Sequence, residues 1–152
     1  MECLPHWPLD VVLAEDTPTD VELYHLAVQR IGTLSSLHVV NDGQEMIEFL
    51  CGKLPDTGHW PRPNFLLLDL KMPRCDGFDV LRWLKGHPEC AIIPTIIVSN
   101  SEHENDIKLA YELGANAFFV KPSQLSELVG TLRIIFDFWS TAKHPEPIAV
   151  CR

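Results

Sequence analysis

The strongest constraint on the fold of this 152-residue chain is a repeated switch of hydrophobic period. Five times a short apolar run, rich in β-branched and large side chains, gives way to a segment whose apolar residues recur at helical spacing. Strands that alternate with helices in this way run parallel, because each helix carries the chain back across the sheet before the next strand begins. The class is therefore α/β, a parallel sheet with helices on both faces.

Asn64-Phe-Leu-Leu-Leu-Asp69 is apolar up to its last residue, as expected of a central strand covered on both sides, so Asp69 ends a deeply buried strand. The other strands fall at about Leu9–Glu15, Leu37–Val40, Pro94–Ser99 and Ala117–Val120. Thr17-Pro18-Thr19-Asp20 starts a first helix that buries Leu23, Ala27 and Ile31 and stops at Gly32. A second follows Asn41-Asp42-Gly43, turns Met46, Ile47 and Leu50 inward and closes at Gly52. The third follows Met72-Pro73-Arg74-Cys75-Asp76-Gly77 with Phe78, Leu81 and Leu84 in register. The fourth spans about Glu104 to Leu113 and ends at Gly114. The last runs from about Gln124 past Trp139, with Leu125, Leu128, Val129, Leu132, Ile135, Phe136 and Trp139 as its core stripe. At ~100° per residue Ile134 and Phe138 lie on its far side and need another cover, either the tail Lys143–Arg152 or a partner. Three prolines between Lys53 and Pro63 mark a surface loop.

A formal net charge of −9 with no basic cluster argues against nucleic acid as a direct partner. No signal-peptide pattern opens the chain, and no segment approaches the ~18 consecutive apolar residues of a membrane span, so a cytoplasmic location is expected. The five cysteines include no C-x-x-C pair, and free thiols are the expectation. His87-x-x-Cys90 lacks a second ligand pair and reads as a surface loop rather than a zinc site.

Ligands of an open α/β sheet bind beyond the carboxyl ends of its strands. Glu15 and Asp16, Asp69, Ser99 and Lys121 all fall there. Carboxylates that close raise one another's pKa unless a cation joins them. All-oxygen ligation without histidine suits Mg²⁺, which keeps several waters and commonly shares phosphate oxygens. An ionised Asp69 is then a nucleophile toward phosphorus, Ser99 a donor to a phosphoryl oxygen, and Lys121 a counter-charge before and after reaction.

VVLAEDTPTD, LLLDLKMPRCDGFDVL, VSNS and GANAFFVKP, in that order, closely resemble receiver domains of bacterial two-component response regulators over about Leu9 to Trp139. The Pro-rich loop before Asn64 and the aromatic Phe136-Asp-Phe-Trp139 look most like the phytochrome-associated, single-domain subgroup. The resemblance implies a flavodoxin-like, doubly wound five-stranded sheet of order 2-1-3-4-5, in one receiver domain over 1–152 with its core at about 9–142 and no output domain. It implies phosphorylation of Asp69 by a sensor histidine kinase, and the subgroup implies one of phytochrome type. Asp16 and Asp69 would ligate Mg²⁺ directly, Lys71 through its backbone carbonyl, and Glu15 through water. Ser99 would move toward the phosphoryl group and Phe118 follow it inward, although Phe118 has no hydroxyl to bond there. Ser101 and Lys71 would line the mouth, or else be ordinary loop residues.

The signal would leave by protein contact, in a homodimer or with a downstream protein, through the face of the fourth helix, fifth strand and last helix that carries Ile134 and Phe138. Two other functions share these residues. An aspartate-nucleophile phosphatase would want a second aspartate where Lys71 stands, and a phosphorylation-independent interaction module would not need all five reactive positions. The isomer of the Lys121-Pro122 bond is not set by the sequence.

Overall fold

The computed structural model describes residues 9–32, 36–53 and 63–144. Its elements are β1 (Asp10–Ala14), α1 (Pro18–Ile31), β2 (Ser36–Val40), α2 (Gly43–Leu50), β3 (Phe65–Leu68), α3 (Gly77–Lys85), α4 (Pro88–Ala91), β4 (Thr95–Ser99), α5 (Glu104–Glu112), β5 (Ala117–Val120) and α6 (Leu125–Thr141). The five strands form one parallel sheet in the order β2-β1-β3-β4-β5. Strand order reverses between β1 and β3, so the crevice that such a sheet offers to ligands opens where Ala14 and Leu68 end their strands.

β3 lies at the centre, and Phe65, Leu66, Leu67 and Leu68 are all fully buried, each such side chain stabilising the fold by roughly 2 kcal/mol. Because successive strand residues point to opposite faces, Leu66 and Leu68 enter the core with Met46, Leu81 and Ala110, beneath α2, α3 and α5. Phe65 and Leu67 enter the opposite core with Tyr24, Ala27, Leu132 and Phe136, beneath α1 and α6. Helices therefore cover both faces, as expected.

The expected stripes hold in α3 and α6, where Leu81, Leu84, Leu128, Leu132, Ile135 and Phe136 are buried, and differ at single positions in α1 and α2. Tyr24 and Ala27 form the buried line of α1, while Leu23 and Ile31 flank it half-buried. In α2, Phe49 is buried and Ile47 is not fully so. A sheet covers a helix stripe ≳ 100° wide, and periodicity alone does not locate its centre. Thr17 stands at the N-cap of α1, as expected, but its side chain makes no capping bond; Pro18 at the first helical position supplies the start.

The segment after α3 is a short helix rather than a loop. Its N-cap His87 stacks on Trp83 at 4.0 Å, with Nδ1 2.6 Å from the Trp83 carbonyl. Cys51 and Cys75 are free thiols. Cys90, fully buried, is disulfide-bonded, against the expectation of free thiols; spacing along the chain does not show which sulfurs folding brings together. Ile134 and Phe138 are exposed by 65% and 59%, and most of the tail proposed to cover them lies outside the described residues. No peptide bond among the described residues is cis, Lys121-Pro122 included. None of their helices is long and apolar enough to cross a membrane.

Candidate functional site

Asp69 is the first residue beyond β3, yet its backbone N–H still donates to the Ala14 carbonyl at 3.2 Å, which keeps the turn-off point locked to β1. The β1 end is held likewise, Glu15 N–H donating to the Val40 carbonyl at 3.0 Å. Three carboxylates meet there: Glu15 and Asp69 are buried, Asp16 is exposed, and one oxygen from each lies within 4.8 Å of the others.

The chain after β3 folds back tightly. Gly77, the first residue of α3, donates to the Leu70 carbonyl at 2.9 Å, and a Cβ there would stand 2.4 Å from the Asp69 carbonyl oxygen and 2.9 Å from Leu70 Cα. Only glycine allows that approach. Asp76 caps α3 with a reciprocal pair of bonds to Asp79, at 2.9 and 3.2 Å. Arg74 adopts φ +64°, and its guanidinium reaches Asp42, the N-cap of α2, at 2.6 and 2.8 Å. The turn that carries Lys71 is thus pinned at both ends.

Lys121 follows β5 directly, and its N–H donates to the Ser99 carbonyl at 2.7 Å. Its side chain is 7% exposed, and Nζ lies 2.7 Å from Glu15 Oε2, 3.2 Å from Asp20 Oδ2 and 3.3 Å from Asp69 Oδ2. Burial works against that ammonium, but the bond to Glu15 and the charges of Asp69 and Glu15 outweigh it and push its pKa above the ordinary value. Glu15 is pushed up as well, by burial first, against the lowering effect of Lys121. Both its oxygens are occupied, Oε1 accepting from Thr17 N–H at 3.2 Å. Asp69 Oδ1 accepts from Lys71 N–H at 3.4 Å.

Ser99, buried at the end of β4, accepts a bond from Ser101 N–H at 3.2 Å, which leaves its own O–H to donate. Ser101 is buried and turned toward α5, donating to Asp106 at 2.6 Å. Lys71 is exposed and lines, with Asp16, Asp76, Phe78 and Asp106, an open cleft of about 500 Å³. Phe118, paired with Ile97 in the sheet, is half-buried against the α5 side of the core. The structure therefore brings Glu15, Asp16, Asp69 and Lys121 together, with Ser99 anchored on the backbone next to Lys121.

Asp20 belongs to this group and was expected only as a helix-capping residue. Its place in the first turn of α1 does suit a helix N-terminus, but nothing in local spacing shows that it meets a lysine 101 positions later.

The donor set fits a hard divalent cation. Lys121 serves Glu15, Asp20 and Asp69, while Asp16 has no ion-pair partner among the described residues. Carboxylate oxygens without histidine or cysteine are what such an ion selects.

Residues 11–133 match the model of the response regulator receiver domain. The response regulator Rcp1 of Synechocystis sp. is 31% identical over 132 residues, 87% of this chain and 89% of its own. Its Mn²⁺-bound structure superposes with a TM-score of 0.79 at 31% identity, over 91% of this chain and 99% of that one. The phosphorylated cyanobacterial phytochrome response regulator RcpA is similar at 32% identity and a TM-score of 0.82, covering 92% and 100%. RPA3017, from red light signaling in R. palustris, shares 34% identity with a TM-score of 0.83, covering 91% and 99%.

Proposed function

This chain belongs to the response regulator receiver domain family of two-component systems, and from that premise we propose that Asp69 accepts a phosphoryl group from a sensor histidine kinase and that the phosphorylated domain signals by protein contact. The observation that carries this reading is the arrangement around Asp69: a buried carboxylate at a strand end, a buried ammonium 3.3 Å away, and two further carboxylates beside it.

In this mechanism a carboxylate oxygen of Asp69 attacks phosphorus, the bond to the donor's imidazole nitrogen breaks, and the imidazole keeps the electron pair and takes up a proton. Lys121 turns toward the phosphoryl oxygens and replaces the donor's counter-charge. Ser99 donates its hydroxyl hydrogen to a phosphoryl oxygen, and Phe118 packs into the space that Ser99 leaves. Asp16, Asp69 and the Lys71 carbonyl would hold Mg²⁺, with Glu15, the carboxylate closest to Lys121 at 2.7 Å, acting through water. When bound, the ion supplies positive charge where negative charge accumulates. Its place is supported by the carboxylate cluster and by the Mn²⁺-bound form of Rcp1.

The phosphorylated form of RcpA and the red-light context of RPA3017 support a kinase of phytochrome type. The outlet of the signal is the face of α5, β5 and α6, where Tyr111, Val120, Ile134 and Phe138 are exposed. No nucleic acid or membrane partner is proposed, in keeping with the net charge of −9.

Incubation with Mg²⁺ and an acyl phosphate should add one phosphate by intact mass, and Asp69→Asn should abolish the increment. Equal labelling of that variant would refute the assignment.

A further inference from the structure

Asp20 is the member of the site that the mechanism above leaves without a role. Its carboxylate lies 3.2 Å from Lys121 Nζ, against 2.7 Å for Glu15 and 3.3 Å for Asp69. An ammonium has three N–H donors, and here three carboxylates take them. A phosphoryl group arriving on Asp69 takes over the contact that the Asp69 carboxylate now makes, but its oxygens stand beyond that carboxylate, so the ammonium has to shift to reach them and its contact with Glu15 or with Asp20 has to lengthen. Glu15 is a poor candidate for release: its side chain is 1% exposed, its contact is the shortest, and its other oxygen is tied to Thr17. The Asp20 side chain is 26% exposed and can be rehydrated when the bond breaks.

We propose that Asp20 is a positioning residue that holds the Lys121 ammonium in its resting place, and that breaking the Asp20–Lys121 contact is part of the barrier to phosphorylation of Asp69. The idea rests on Asp69 being the acceptor. It assigns Asp20 neither to metal ligation nor to contact with the phosphoryl group. A weaker anchor leaves Lys121 freer to turn, so the loss of Asp20's charge speeds phosphoryl uptake.

Removing a negative charge also lessens repulsion of an anionic donor, and that effect needs no lysine. A double-mutant cycle separates the two. Phosphorylation of the full chain by an acyl phosphate at saturating Mg²⁺ is followed for wild type, Asp20→Asn, Lys121→Gln and the double variant. Asp20→Asn should raise the rate constant about five-fold in the wild-type background and by less than about two-fold, the part owed to donor repulsion alone, beside Lys121→Gln. Asp20→Glu, which keeps the charge, should stay near the wild-type rate. An equal acceleration in both backgrounds, or none with Lys121 present, would overturn the proposal.

A second readout needs no phosphate. The Lys121 side-chain nitrogen resonance should move in Asp20→Asn and stay in place in Asp16→Asn, and an unmoved signal in Asp20→Asn overturns the anchor. A wild type that takes up no phosphate counts against the acceptor assignment, whereas this resonance judges Asp20 separately.

Discussion

Lys121 is one cation among carboxylates, so its removal leaves Glu15, Asp20 and Asp69 with uncompensated charge in metal-free buffer. Lys121→Gln should cost roughly 3 kcal/mol at neutral pH, measured by urea denaturation in chelator. The pKa of Lys121 is raised above its ordinary 10.5 in the folded state, so its contribution is complete below that value and fades as pH rises through the folded one. The gap between wild type and variant should stay constant from about pH 7 to 10 and close only beyond that range; a gap already gone at pH 8 would mean that the ammonium is not held by the carboxylates. Asp69→Asn removes one of the crowded charges and should stabilise the metal-free protein by about 1 kcal/mol while weakening its stabilisation by Mg²⁺. Loss of stability in chelator would count against charge crowding. Glu15, Asp16, Asp69, Ser99 and Lys121 were legible in the sequence because each ends or follows an apolar strand, and strand ends of a parallel sheet converge. Asp20 was not, because its partner is fixed only when folding brings the first turn of α1 to the residue that follows β5, 101 positions later.

Between strand and helix, the turn after β3 depends on one position that has no room for a side chain. Gly77→Ala would set a methyl 2.4 Å from the Asp69 carbonyl oxygen and 2.9 Å from Leu70 Cα, both backbone atoms of the site itself. It should lower stability by about 2 kcal/mol and slow phosphorylation of Asp69, the first read by thermal unfolding and the second by intact mass. Wild-type values on both would show that the turn can widen at no cost. The Asp-Gly pair could be read as a turn signal, but the close approach that makes glycine necessary could not. The same division holds for the helices. The stripe of α6 stood out because seventeen residues repeat the period several times, whereas the four residues of α4 are too few to show one. The link between Arg74 and Asp42 was equally hidden, since it joins two turns 32 positions apart.

Across the whole molecule, the acid site and the exposed apolar residues lie in different places, and any signal has to cross between them. β5 and the segment after it make the connection: Phe118 packs toward α5, Lys121 enters the acid site, and Val120 between them is exposed at the surface. A stable interface buries roughly 800 Å² on each partner around an apolar centre, and Tyr111, Val120, Ile134 and Phe138 on α5, β5 and α6 supply the material for one. The net charge of −9 opposes self-association of the resting protein, so apolar contact has to be strengthened by a rearrangement of that face before two copies hold together. Sedimentation of the wild type should therefore show a larger mass with Mg²⁺ and a beryllofluoride phosphate mimic than without them. Phe138→Asp, which places a charge on a side chain already 59% exposed, should fold normally, bind the mimic, and keep the smaller mass. A wild type whose mass never changes removes the homodimer and leaves a different protein as the partner of this face. A Phe138→Asp variant that associates like the wild type places the interface elsewhere.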